Sequence, residues 1–217
     1  MINTFSSSAF ERAPIMGVLR GVDWETLKRI LPLYEEAGFT TLEITMNTPK
    51  AEVLIHNAIQ HFPNLNIGAG TVCSVQDLQK AIHAGANFIV TPILNEELFE
   101  KCKTSNTPIF PGAFTPSEIY KAWQLGAKAV KVFPCSQLGP KYIKDIKGPL
   151  NEVPLLPMGG INQDNLFEYF NVGVYGVGMG GSALFTPQLM QEGKEAELLE
   201  HFKKLYAKLK EIKTILK

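Results

Sequence analysis

A chain of 217 residues with 45% hydrophobic and 19% charged side chains has the balance of a globular protein and enough apolar mass for a substantial core. Its 21 basic residues equal its 21 acidic ones, which excludes a broad field for collecting nucleic acid or an anionic membrane, so any anion must be handled locally. Cys73, Cys102 and Cys135 show no CxxC spacing and are odd in number, which argues for reduced thiols. The first ten residues lack the basic segment and apolar run of a secretory signal, and no apolar run approaches a membrane span, so a cytoplasmic protein is expected.

Residues 1–13 form a lead-in, helical from Ser7 to Arg12. Pro14 then introduces a buried strand from Ile15 to Arg20. Asp23 offers an N-cap for a helix in which Leu27, Ile30, Leu31, Tyr34 and Ala37 recur at helical spacing until Gly38. The same strand-then-helix pattern repeats. Thr40 to Thr45 precedes a helix opened at Thr48-Pro49, and Asn66 to Val72 precedes one capped by Ser74. Phe88 to Pro92 is followed by a helix from Glu96 to Lys103, and Thr107 to Phe110 by one opened at Thr115-Pro116. Ala129 to Cys135 is the sixth strand. Leu155 to Gly160 is the seventh, with a helix from Gln163 to Phe170. Tyr175 to Gly181 is the eighth, and a long helix from Glu192 to Leu216 closes the chain.

Strands that are continuously apolar and alternate with helices through short connections predict helices covering a parallel sheet. Eight such units are the number that closes a (β/α)8 TIM barrel, in one domain spanning 1–217. A doubly wound open sheet shares the alternation, but no GxGxxG turn follows the first strand.

In a barrel the C-terminal strand ends form the working face. Arg20, Glu43, Thr71, Pro92 and Lys131 fall there, with two glycine pairs, Gly159-Gly160 and Gly180-Gly181. Lys131 sits among Val130, Val132 and Phe133, and Glu43 among equally apolar neighbours. Such charges either form a buried ion pair or shift their proton affinities; a lysine made neutral attacks carbonyls, and a glutamate with a raised pKa serves as a general base. The glycine pairs follow strands seven and eight, where backbone N–H groups can approach a phosphate, and Ser182 adds a hydroxyl. His56, His61, His83 and His201 lie on expected helices with no carboxylate at ligand spacing, so no metal or cofactor is expected.

Arg20, Leu42-Glu43-Ile44, Gly68-Ala69-Gly70-Thr71-Val72, Val90-Thr91-Pro92, Phe110-Pro111-Gly112, Lys131-Val132-Phe133-Pro134 and Gly159-Gly160-Ile161 together resemble the class I 2-keto-3-deoxy-6-phosphogluconate aldolase family. That family includes galactonate-specific and 4-hydroxy-2-oxoglutarate aldolases. The resemblance runs from Ile15 to Phe185. It implies a barrel, a metal-free lyase, a phosphorylated keto acid as partner and a homotrimer. It also implies that Lys131 forms the Schiff base, Glu43 shuttles protons, and Thr71 and Pro92 line the pyruvyl pocket with Arg20, Asn47 and Phe133. Gly159, Gly160, Gly180, Gly181 and Ser182 would take the phosphate.

The chain departs from the gluconate-type pattern. Asn47 stands where those members have a carboxylate-binding arginine, and Met158 where they have a threonine. Leu19-Arg20-Gly21, Asn47-Thr48-Pro49 and Gly139-Pro140-Lys141-Tyr142-Ile143-Lys144 are closer to the galactonate-type members. A guanidinium at Arg20 can supply the missing clamp from a neighbouring strand end. Two other readings fit a phosphate-binding barrel: a sugar-phosphate epimerase or isomerase, and a non-catalytic phosphosugar sensor. The first ordinarily needs a rim histidine, paired carboxylates or a metal set, and the second has no need of a buried lysine.

Overall fold

The structure, a computed structural model, describes residues 5–181 and 183–216. Among these residues there are nine strands and nine helices, alternating except where β5 runs directly into β6. The strands are β1 (Ile15–Leu19), β2 (Thr41–Thr45), β3 (Asn66–Gly70), β4 (Ile89–Val90), β5 (Ile109–Phe110), β6 (Gly112–Ala113), β7 (Val130–Val132), β8 (Leu155–Pro157) and β9 (Val177–Met179). Every pairing is parallel. One sheet has the order β5-β4-β3-β2-β1-β9 and the other β6-β7-β8. The expected fifth strand, Thr107 to Phe110, is shortened to β5, and Pro111, which has no N–H for a ladder, separates it from a further strand, β6. The α/β class stands, but the strands form two curled parallel sheets rather than one uninterrupted eight-stranded ring.

Several backbone contacts cross between the sheets. The Lys128 N–H donates to the Ile109 carbonyl at 2.9 Å, and the Tyr175 N–H to the Leu155 carbonyl at 2.9 Å. Met158, just past β8, bridges in parallel to Gly178 on β9.

The helices are α1 (Ser7–Arg12), α2 (Trp24–Glu36), α3 (Ala51–His61), α4 (Val75–His83), α5 (Glu96–Thr104), α6 (Pro116–Gln124), α7 (Gly139–Lys147), α8 (Leu166–Asn171) and α9 (Glu195–Ile215). Their starts follow local chemistry. Asp23 accepts from the Thr26 N–H at 2.8 Å, Ser74 from the Asp77 N–H at 3.1 Å, and Thr115 forms a capping box with Glu118. Helix α3 begins at Ala51 rather than at Thr48-Pro49, because Lys50 takes a left-handed φ of 58° that a right-handed helix cannot contain. No helix is expected from the sequence over α7, which begins on Gly139-Pro140; a proline is tolerated in a first turn.

Two apolar layers result. The outer one packs the helices against the sheets, with α9 contributing Leu198, Phe202, Leu205, Leu209 and Ile212. Phe202 meets Tyr34 edge-on at 5.5 Å, and Arg29 ties α2 to the start of α9 through Glu195 at 2.9 Å. The inner layer contains Phe5, Phe10, Met16, Phe88, Val90, Phe110, Ala129, Leu156 and Met158. Among the described residues no helix is long and apolar enough to cross a membrane.

Candidate active site

Lys131 is the middle residue of β7, between Gly112 of β6 and Leu156 of β8. Its side chain is only 5% exposed. Taking an ammonium group out of water favours the neutral amine, and burial pushes the pKa of Lys131 below the ordinary 10.5. Glu43 opposes that fall, while Arg20 adds to it.

Glu43 is the middle residue of β2, paired with Val18 of β1 and Gly68 of β3, and is 1% exposed. Burial raises its carboxyl above the ordinary 4.5, against the pull of Lys131 and Arg20. Its Oε2 is buried without a hydrogen-bond partner. The ion pairs within 4.0 Å among the described residues include neither Lys131 nor Glu43. The two charges therefore sense each other through space without closing the contact that a buried salt bridge needs.

Both groups open onto a cavity of about 420 Å³. Arg20, Asn47, Thr71, Pro92, Phe133, Gly159, Gly160 and Gly180 share its wall, together with Val18, Met158, Ile161 and Gly178. Arg20 donates from Nη2 to the Thr71 hydroxyl at 3.4 Å. Thr71 takes a left-handed φ of 54°, unusual for a β-branched residue. The Phe133 ring centroid lies 4.9 Å from the Lys131 Nζ, a cation–π distance when the amine is protonated. Gly159 and Gly160 have φ values of 97° and 74°, where a side chain would be strained. Gly181 lines an adjoining cavity of about 260 Å³ that shares Val18, Arg20 and Gly180 with the first. Ser182 lies outside the described residues.

Two contributors escape sequence reasoning. Gly70 has no side chain where the Glu43 carboxylate lies, and a Cβ there would stand 2.3 Å from Oε1. Gly178 likewise leaves room for Met158, whose Cγ would be 2.2 Å from a Cβ at that position. Only the three-dimensional approach of neighbouring strands reveals either pairing. The histidines are engaged elsewhere: His61 Nδ1 contacts the Asn57 carbonyl at 2.8 Å and His201 Nε2 the Ala183 carbonyl at 2.9 Å, while His56 and His83 line a surface groove.

A parallel α/β fold with a desolvated lysine and glutamate facing one cavity has the groups that carbonyl chemistry needs. Residues 7–200 match the aldolase family described as KDPG and KHG aldolase, and the chain belongs to that family. It is 29% identical over 197 residues to the 2-dehydro-3-deoxy-6-phosphogalactonate aldolase of Escherichia coli, covering 90% of this chain and 95% of that one. The 2-dehydro-3-deoxy-phosphogluconate aldolase of Pseudomonas aeruginosa is 36% identical over 147 residues, 66% of this chain and 67% of its own. Among solved structures, KDPG aldolase from Legionella pneumophila, with pyruvate captured as a covalent carbinolamine intermediate, superposes with a TM-score of 0.85 at 28% identity, over 93% of this chain and 98% of that one. A native KDPGal structure gives 0.83 at 27% identity, over 93% and 96%.

Proposed function

We propose that the protein is a Schiff-base aldolase that cleaves a 2-keto-3-deoxy-6-phospho sugar acid to pyruvate and glyceraldehyde 3-phosphate. The observation that carries this reading is Lys131, buried in the cavity without an ion pair and biased towards the neutral amine. The amine attacks the C2 ketone to give a carbinolamine, which loses water to form a protonated imine. That imine accepts the electron pair of the C3–C4 bond as Glu43, directly or through a water, takes the C4 hydroxyl proton. The aldehyde leaves, the enamine is protonated at C3, and hydrolysis frees pyruvate and Lys131.

Arg20 and Thr71 hold the carboxylate, with Pro92, Asn47 and Phe133 shaping the pyruvyl end. Gly159, Gly160 and Gly180 receive the remote phosphate, whose binding energy aligns the scissile bond, with Gly181 facing the adjoining cavity. Asn47 and Met158 lead to the expectation that the galactonate epimer is accepted. Pyruvate release from the gluconate epimer alone would contradict that. Borohydride with pyruvate should add a reduced pyruvyl group to Lys131; recovery of an unmodified lysine would sink the proposal.

The same reading treats residues 1–217 as one (β/α)8 barrel domain, supported by the backbone hydrogen bonds that span the two sheets. It extends to a cytoplasmic homotrimer. Exposed Ile93, Phe114 and Tyr120 support a subunit contact. Sedimentation at a monomer mass would refute the trimer.

A further inference from the structure

The end of the strands opposite the cavity is closed by the chain's own N-terminal segment. The Ser6 N–H donates to Asn66 Oδ1 at 2.7 Å, and Asn66 Nδ2 donates back to the Ser6 carbonyl at 3.0 Å and to the Thr41 hydroxyl at 3.0 Å. The Thr40 hydroxyl donates to the Ala9 carbonyl at 2.8 Å. Asn66 and Thr41 are the first residues of β3 and β2, so these bonds pin α1 across the entry ends of the strands.

The segment thereby places two rings inside the sheet. The Phe5 centroid lies 5.4 Å from Phe88 and 5.5 Å from Phe110, and those two rings are 5.6 Å apart. Phe10 stacks on Tyr175 at 5.2 Å. The cluster reaches the level of the reactive pair from below. Gly68, the register partner of Glu43, has no side chain, and the Phe88 ring fills that space, 2.4 Å from where a Cβ would stand. Leu156, the register partner of Lys131, and Ala129, one pleat beneath it, belong to the same layer as Phe5.

We propose that Phe5, held by the Asn66–Ser6 clasp, is a positioning residue for the reaction: it seals the base of the strands so that water reaches Lys131 and Glu43 only from the cavity side. The inference rests on the Schiff-base reading only for its effect on turnover; the seal is a property of the fold. The charged or titratable groups that act on Lys131 are Glu43 from β2, Arg20 beyond β1 and Cys73 beyond β3. On α1 itself Glu11 and Arg12 are exposed. Loosening the seal therefore changes hydration near Lys131 without removing a charge that faces it. Water entering from below would stabilise the ammonium and raise the pKa of the lysine.

Competitive labelling with acetic anhydride across pH, read at Lys131 by mass spectrometry, reports that pKa without needing turnover. Phe5→Ala is expected to move the labelling midpoint upward by about one pH unit, Asn66→Ala to move it in the same direction, and Phe5→Leu to keep it near wild type. Asn66→Ala keeps every aromatic side chain and frees only the segment that carries Phe5, so it tests the clasp even where Phe5→Ala fails to fold. A fall in Tm with the midpoint unchanged would reduce the segment to a purely structural role and overturn the proposal. Failure of wild-type protein to trap pyruvate would count against the Schiff base alone, since the labelling midpoint is read without pyruvate.

Discussion

Lys131 costs the fold stability because burial disfavours its charged form and no ion pair in contact offsets that. Replacing it with an apolar side chain of similar length should end pyruvate trapping and raise stability by about 1–3 kcal/mol at neutral pH. The pH dependence has a definite sign. The pKa of Lys131 is lower in the folded chain than in the unfolded one, so the penalty is full below the folded value and disappears as pH rises towards 10.5. The advantage of Lys131→Met in denaturant unfolding should therefore shrink on raising the pH through that window. An advantage that grows would show that the lysine is held charged. Gly70 offers a second test at this scale. Gly70→Ala must push the Glu43 carboxylate aside, and because that is the end of a flexible side chain the fold should survive. A shift of about 1 Å in a proton-transferring group should lower kcat by about 100-fold with little change in Tm. Retention of full activity would remove Glu43 from the role assigned to it.

At the scale of elements, helix caps and strand interiors carry separable energies. Thr115→Ala removes a capping box and should cost about 1 kcal/mol in denaturant unfolding. Asp23, Ser74 and Thr115 announce their helices in the sequence because the cap is a local interaction, and the apolar runs announce the strands for the same reason. Helix α7 is concealed because Gly139-Pro140 reads as a turn, although the first helical turn needs no N–H from Pro140. The start of α3 is displaced because Lys50 adopts a left-handed φ of 58°, which no side-chain pattern announces. The site divides in the same way. Lys131 and Glu43 are legible as charges in apolar strands. The space that Gly70 leaves for Glu43 depends on strand register, which no single segment encodes.

For the whole molecule, the helix layer and the strand interior do different work. Arg29 joins α2 to α9 through Glu195 and through the Met190 carbonyl at 2.9 Å, and Phe202 seats α9 against Tyr34 and Phe185. These contacts lie in the outer layer, whereas Met158 of the cavity wall belongs to the inner one. Phe202→Ala should therefore lower stability by about 3–5 kcal/mol, while pyruvate trapping in the folded fraction stays near wild type. Loss of trapping in protein that remains folded would show that the two layers are coupled.

Met158 and Gly178 fill one space between them, and this makes them a single unit of variation. Placing any side chain at 178 while Met158 remains brings it into overlap, whereas shortening residue 158 alone leaves a void beside the glycine. Residue 158 reshaped on its own samples pockets that are either wild type or hollow. A library that varies positions 158 and 178 together can exchange bulk across the strand boundary at nearly constant volume, and so move the apolar wall relative to Lys131 without emptying the core.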